Sequence, residues 1–213
     1  GYYVDTTAAI SQTACTAGTY NANTGSTSSS ACLDADAGYY VASTGSASQT
    51  ACAAGTYQPS TGQSSCTDAS AGYYVDTTAA TSQTACPAGT YTSGTGSTSS
   101  SDCVTTPAGY YSTSNSSTPT PCPVGTYQPA AGQSSCIDAS AGYYVPTTAA
   151  TAQTACAAGT YQPSTGQTSC TDASAGYYVA SAGSASQTAC AAGTYQPSTG
   201  QTSCLDADAG YYV

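Results

Sequence analysis

Lysine, arginine, histidine, glutamate, phenylalanine, tryptophan and methionine are all missing from this chain of 213 residues, and each absence closes a class of function. With no Lys or Arg, nothing can neutralise a phosphate backbone, so nucleic acid is excluded as a partner. The same lack removes side-chain salt bridges and every cleavage site of trypsin type. With no His or Glu, the ionisable side chains reduce to ten Asp, twenty Tyr and twelve Cys, which offers no ordinary general base. The chain reads as no enzyme and as needing no cofactor. Aliphatic residues are almost as scarce, at two Ile, two Leu and eight Val, which is too few for a conventional globular core. No apolar run reaches membrane-spanning length, so no membrane contact is expected within this segment. No basic region followed by an apolar stretch marks a targeting signal either.

What is present is repetition. The phrase Gly-Tyr-Tyr opens at Gly1, Gly38, Gly72, Gly109, Gly142, Gly176 and Gly210, in steps of 37, 34, 37, 33, 34 and 34 residues. Such a period marks a tandem array of small units that stabilise one another. The repeats run 1–37, 38–71, 72–108, 109–141, 142–175 and 176–209, and residues 210–213 open a seventh, as in a segment of a longer array. The fourth differs at its start, where Ser, Thr and Pro gather between Val104 and Pro123.

Each repeat carries two cysteines in fixed phase: Cys15 and Cys32, Cys52 and Cys66, Cys86 and Cys103, Cys122 and Cys136, Cys156 and Cys170, Cys190 and Cys204. Without His, and without a CxxC pair, this spacing favours disulfides over a metal centre, and so an oxidising compartment. The protein is expected outside the cell, secreted or on its surface.

Within a repeat, AGYYVPTTAATAQTAC and AAGTYQPSTGQTSCTDAS, from Ala141 to Ser174, are related halves of about 17 residues. In the second half, Tyr161 to Gln167 predicts a short strand, a turn at Pro and Gly, and a short return strand. No 3.6-residue apolar period survives, so little or no helix is expected. The three-residue insertions of the first and third repeats fall between Cys15 and Cys32 and between Cys86 and Cys103, where a turn can lengthen at small cost. The fold class is therefore all-β and irregular: an elongated linear array of small disulfide-stapled β-hairpin repeats without a globular core.

Phrases such as CPAGTY (Cys86 to Tyr91) and TGQSSC (Thr61 to Cys66) resemble the cysteine-rich repeat of ephrin-receptor type. The resemblance covers essentially the whole chain and implies an elongated extracellular module with no catalytic residues. That family normally carries a further cysteine three residues from each one kept here. This chain instead has Ala69 and Gln83, and likewise Ala35 and Gln49, Ala139 and Gln153, Ala173 and Gln187, as though alternate disulfides had been lost whole. The resemblance then implies bonds within hairpins, pairing Cys15 to Cys32, Cys52 to Cys66, Cys86 to Cys103, Cys122 to Cys136, Cys156 to Cys170 and Cys190 to Cys204.

Other residue classes have bland and sharp readings. Asp34, Asp68, Asp138, Asp172 and Asp206 each follow a second cysteine by two residues. One carboxylate per repeat is too little for Ca²⁺, so they read as turn residues bonding their own backbone. Of each adjacent Tyr pair, one ring faces the disulfide side and the other meets a neighbouring repeat. The Ser, Thr and Pro content suits covalent glycans, at Ser60, Thr61, Thr118, Thr120, Ser164, Thr165, Ser198 and Thr199, and at the acceptor Asn115 of Asn115-Ser116-Ser117. These features make the chain a structural protein, the repetitive core of an extracellular glycosylated fibre, surface hair or wall filament whose partners are itself and glycans. The other reading is the stalk or ligand-binding ectodomain of a receptor or adhesin.

Overall fold

A computed structural model describes residues 1–210. Of the expected start of a seventh repeat, Tyr211, Tyr212 and Val213 lie outside the described residues. The chain forms two compact units, one of Gly1–Val104 with Ser114–Thr118, the other of Thr105–Thr113 and the chain from Pro119 onward.

Among the described residues the regular structure is twelve two-stranded antiparallel hairpins and two single 3₁₀ turns, an all-β chain with almost no helix. Every repeat holds two hairpins. In the fifth repeat Tyr143–Tyr144 pairs with Thr154–Ala155, and Thr160–Tyr161 pairs with Thr171–Asp172.

The second hairpin is wider than the sequence predicts, since the chain returns at Thr171 and not by Gln167. Inside its loop Gln162 turns inward and is only 8 % exposed. Its Nε2 donates to the carbonyl of Ser169 at 2.9 Å, and its Oε1 accepts from the amide of Ser164 at 3.2 Å. The first hairpin, with Val145 in the same place, returns over the same distance (Tyr144 opposite Thr154, Tyr161 opposite Thr171), so the width belongs to the repeat and Gln162 satisfies its buried amide within the loop. Gln58, Gln128 and Gln196 do the same in other repeats. The insertions of the first and third repeats become the 3₁₀ turns Ser29–Ala31 and Ser100–Asp102. In the second of these, Ser99 and Asp102 satisfy each other's backbone amides in a capping box.

Two-residue strands are too short to hold a hairpin alone, and bonds to the next two hairpins supply the difference. In the second unit the amide of Gly142 donates to Gln162 at 2.7 Å and that of Val145 to Gln167 at 2.9 Å, both one hairpin on. The amide of Gly183, two hairpins on, donates back to the carbonyl of Cys156 at 2.8 Å. The first unit repeats the pattern: Gly38 to Gln58 at 2.8 Å, Val41 to Gln63 at 3.0 Å, and Ala79 to Cys52 at 2.8 Å. Each hairpin is thus a rung built on its neighbours, which is how a poorly apolar chain orders.

The core is a thin column of two inward side chains per hairpin. One closes the hairpin and is mostly a cysteine or alanine (Cys52, Ala69, Cys156, Ala173); the other follows the first strand and is mostly Val or Gln (Val41, Gln58, Val145, Gln162), with Asn21 and Thr92 in the first and third repeats. Where the third repeat meets the fourth, Thr106 and Ser112, 0 % and 1 % exposed, replace the Ala and Val pair and are joined by a 2.8 Å hydroxyl hydrogen bond. A polar pair enters this core only because each hydroxyl supplies the other's partner.

Candidate functional site

The chemistry of this chain is distributed, so the site is one repeat and its surface. The disulfides join Cys15 to Cys32, Cys52 to Cys66, Cys86 to Cys103, Cys122 to Cys136, Cys156 to Cys170 and Cys190 to Cys204, with Cα atoms 5.6 to 5.8 Å apart. Their placement refines the within-hairpin picture. Cys156 closes one hairpin, its amide donating to Gly142 at 2.9 Å, whereas Cys170 leads into the return strand of the next. Each bond therefore staples two successive hairpins instead of closing one.

Between the covalent staples lie non-covalent ones. Where the alternate disulfides are missing, Gln83 Oε1 accepts the amide of Ser70, Gln153 that of Ser140, and Gln187 that of Ser174, each at 2.7 Å. Gln49 holds the amide of Asp36 at 2.7 Å and also donates to its carboxylate at 2.7 Å. The companions Ala35, Ala69, Ala139 and Ala173 are fully buried in the cysteine's place. The Ala and Gln spacing is visible in the sequence, but the staple it makes is visible only once the hairpins are stacked.

The aspartates stand elsewhere than expected. Asp34, Asp68, Asp138, Asp172 and Asp206 are on return strands opposite Thr19, Thr56, Thr126, Thr160 and Thr194, not in turns. The return strand begins at Thr171 and not by Gln167, and the same late return in the other repeats moves each Asp from loop to ladder. The carboxylates of Asp34 and Asp138 lie against Gly62 and Gly166, in loops two hairpins further on. No group of three metal-capable side chains comes together among the described residues.

The tyrosine pairs divide their roles between two faces. The first ring of a pair reaches a loop two hairpins on: Tyr2 lies over Gly45, Tyr143 over Gly183, and the Tyr73 hydroxyl accepts from Asn115 Nδ2 at 2.9 Å. The second lies beside the disulfide, as Tyr3 does with Cys15 and Cys32 and Tyr40 with Cys66.

Ser60, Thr61, Thr118, Thr120, Ser164, Thr165, Ser198 and Thr199 are all exposed. Asn115 is exposed too, but it is engaged: besides the bond to Tyr73, its backbone sits at φ +59° and its amide donates to the carbonyl of Cys86 at 3.0 Å. Its side chain already serves the fold, which the acceptor triplet alone does not reveal.

Within each unit, two-stranded hairpins joined by a disulfide at alternate steps make a disulfide-stapled tandem repeat. A family model described as tyrosine-protein kinase ephrin type A/B receptor-like matches the chain twice, over residues 38–86 and 109–156, so these two stretches are similar to the repeat of that family. Each match runs from a Gly-Tyr-Tyr glycine to the first cysteine of the next repeat. No curated protein matches the chain. Six disulfides and this family agree on an extracellular setting. Among the described residues no helix is long and apolar enough to cross a membrane.

Proposed function

We propose that the chain is the repetitive structural core of an extracellular fibre, surface hair or wall filament, glycosylated on its exposed hydroxyls and assembling with itself. The observation that carries this reading is the unbroken reuse, within each unit, of the same three inter-hairpin bonds. Each rung offers the next an identical template, so the stack has no inherent stopping point, and repeat proteins of this kind gain stability as units are added. Uniformity supports the same reading, since a specific binding site normally departs from its neighbours. The fourth repeat departs by gaining Ser, Thr and Pro, with a hydrogen-bonded core pair in place of an apolar one.

The matched family supports a second reading, the stalk or ligand-binding ectodomain of a receptor or adhesin. Electron microscopy of native material isolated without reductant separates the two. Long filaments with an axial repeat of one two-hairpin unit and added density on Ser, Thr or Pro are expected; short monodisperse particles would favour the ectodomain.

A further inference from the structure

Beside the disulfide of the second repeat lies a solvent-open groove of about 450 Å³, lined by Tyr40, Thr50, Ala51, Thr56, Ser65 and Cys66. The first repeat has its counterpart, about 260 Å³, lined by Tyr3, Ala14, Thr16, Thr19, Ser29 and the bond between Cys15 and Cys32. Equivalent positions hold the same residue types in later repeats, at Tyr144, Thr154, Thr160 and Ser169 and at Tyr178, Thr188, Thr194 and Ser203. The side chains that line the groove therefore recur from repeat to repeat.

We propose that, within each unit, these grooves form a row of equivalent subsites for a neutral external polysaccharide, one sugar-sized subsite per repeat. The lining decides the ligand class. It holds no charged side chain, and the chain as a whole carries ten Asp and no basic residue, so an anionic ligand meets only repulsion. What the groove offers is a half-buried tyrosine and a disulfide as apolar floor, ringed by hydroxyls. Thr50 and Ser65 are exposed, and Thr56, which donates to the carbonyl of Ala53 at 2.8 Å, keeps its oxygen free to accept. A sugar ring has the matching surface, an apolar face with hydroxyls around its edge. Pockets of small-molecule type span roughly 300–1,000 Å³, and these sit at or below the small end, so each is weak alone. Repetition makes a polymer the occupant, because only a ligand with its own repeat gains from a row of weak subsites. This inference is independent of the fibre reading, since a filament and a stalk would present the same row.

The test is co-sedimentation of the full, oxidised, enzymatically deglycosylated chain with insoluble cellulose, chitin, β-1,3-glucan and, as the charged control, alginate gel. Retention on at least one neutral polymer, none on alginate, and little change from low to high salt are expected, since no ion pair takes part. Tyr40→Ala combined with Tyr144→Ala should weaken retention about tenfold through lost avidity, while Tyr→Phe at both sites keeps most of it. Ala53→Gln with Ala157→Gln should also weaken it, by filling two groove rims at exposed positions without touching the core. Thermal melts confirm that each variant is folded. Retention on no neutral polymer, retention that disappears when the chain's own glycans are removed, or folded groove variants that bind as the parent does would overturn the proposal.

Discussion

Gly142→Ala should break the array at one rung, and the structure sets the size of the effect. Gly142 has φ +85°, and a Cβ built on it would overlap the backbone carbonyl oxygen of Gly183 two hairpins on. Backbone cannot swing aside as a side-chain tip can, so two hairpins must separate. The left-handed conformation costs ~1–2 kcal/mol for a residue with a Cβ. Separation also strands the bonds from Gly142 to Gln162 (2.7 Å) and from Gly183 to Cys156 (2.8 Å). At ~1–3 kcal/mol per unsatisfied buried group, the sum is on the order of 3–8 kcal/mol, comparable to the whole stability of a small domain. The assay is thermal unfolding of the oxidised chain with chymotrypsin digestion in parallel, Tyr144 and Tyr161 being the reporters. A melting temperature lower by ~15 °C or more is expected, with new cleavage beside the broken rung. Gly94→Ala is the control: a Cβ there meets nothing within 4 Å, so its melt should match the parent. If Gly142→Ala melts within ~3 °C of the parent, the close approach of hairpins two apart is not what holds the array.

Ala149 sits at φ +55°, in the loop position that Gly166 and Gly183 fill in later hairpins, so Ala149→Gly should raise stability by about 0.5–1 kcal/mol in a denaturant titration, where a loss would refute the strain. Ala139→Cys with Gln153→Cys restores the alternate staple at a sequence separation of 14, as in Cys156 to Cys170. The pair should oxidise without other changes, seen as a new cross-linked peptide and a gain of up to ~3 kcal/mol, and a variant that keeps both thiols free under oxidant would contradict the equivalence of the two hairpins. Thr106→Ala should cost ~1–3 kcal/mol by leaving the buried Ser112 hydroxyl without its partner. Adding Ser112→Val to Thr106→Ala should return most of that stability by recreating the core pair of the other repeats, and strict additivity of the two changes would show them to be uncoupled. Reducing the six disulfides should lower the melting temperature steeply in calorimetry, and an unchanged melt in strong reductant would remove the staples from the account.

Much of this architecture is legible in the sequence because it is repetitive. The Gly-Tyr-Tyr period marks the repeats, the two halves between Ala141 and Ser174 mark two hairpins, and the scarcity of Val, Ile and Leu excludes a broad core. Hidden features are those fixed by a residue far along the chain. Gln162 stands beside Pro163 in the stretch that suggests a tight turn, yet its position is a core position, the equivalent of Val145, and both hairpins return only after a longer loop. The late return at Thr171 also carries Asp172 from the expected turn onto a strand. Gln153 looks merely like a lost cysteine until the amide of Ser140 is found 2.7 Å away. Asn115 reads as an attachment point because nothing local shows that Tyr73, 42 residues earlier, lies within 2.9 Å of its amide. Local pattern reports a hairpin's own strands well, whereas bonds one and two hairpins away leave no local pattern.

Residue-resolved hydrogen exchange on the oxidised chain tests the central claim, that within each unit a hairpin is built on the next two. Strong and similar protection is predicted for the amides of Gly38, Val41 and Ala79 and of Gly142, Val145 and Gly183, all donors in inter-hairpin bonds of 2.8 to 3.0 Å, or 2.7 Å for Gly142. Exchange of these amides at the rate of open loops, with protection confined to the paired strand residues, would mean that the hairpins are independent beads and that the array is not a stack.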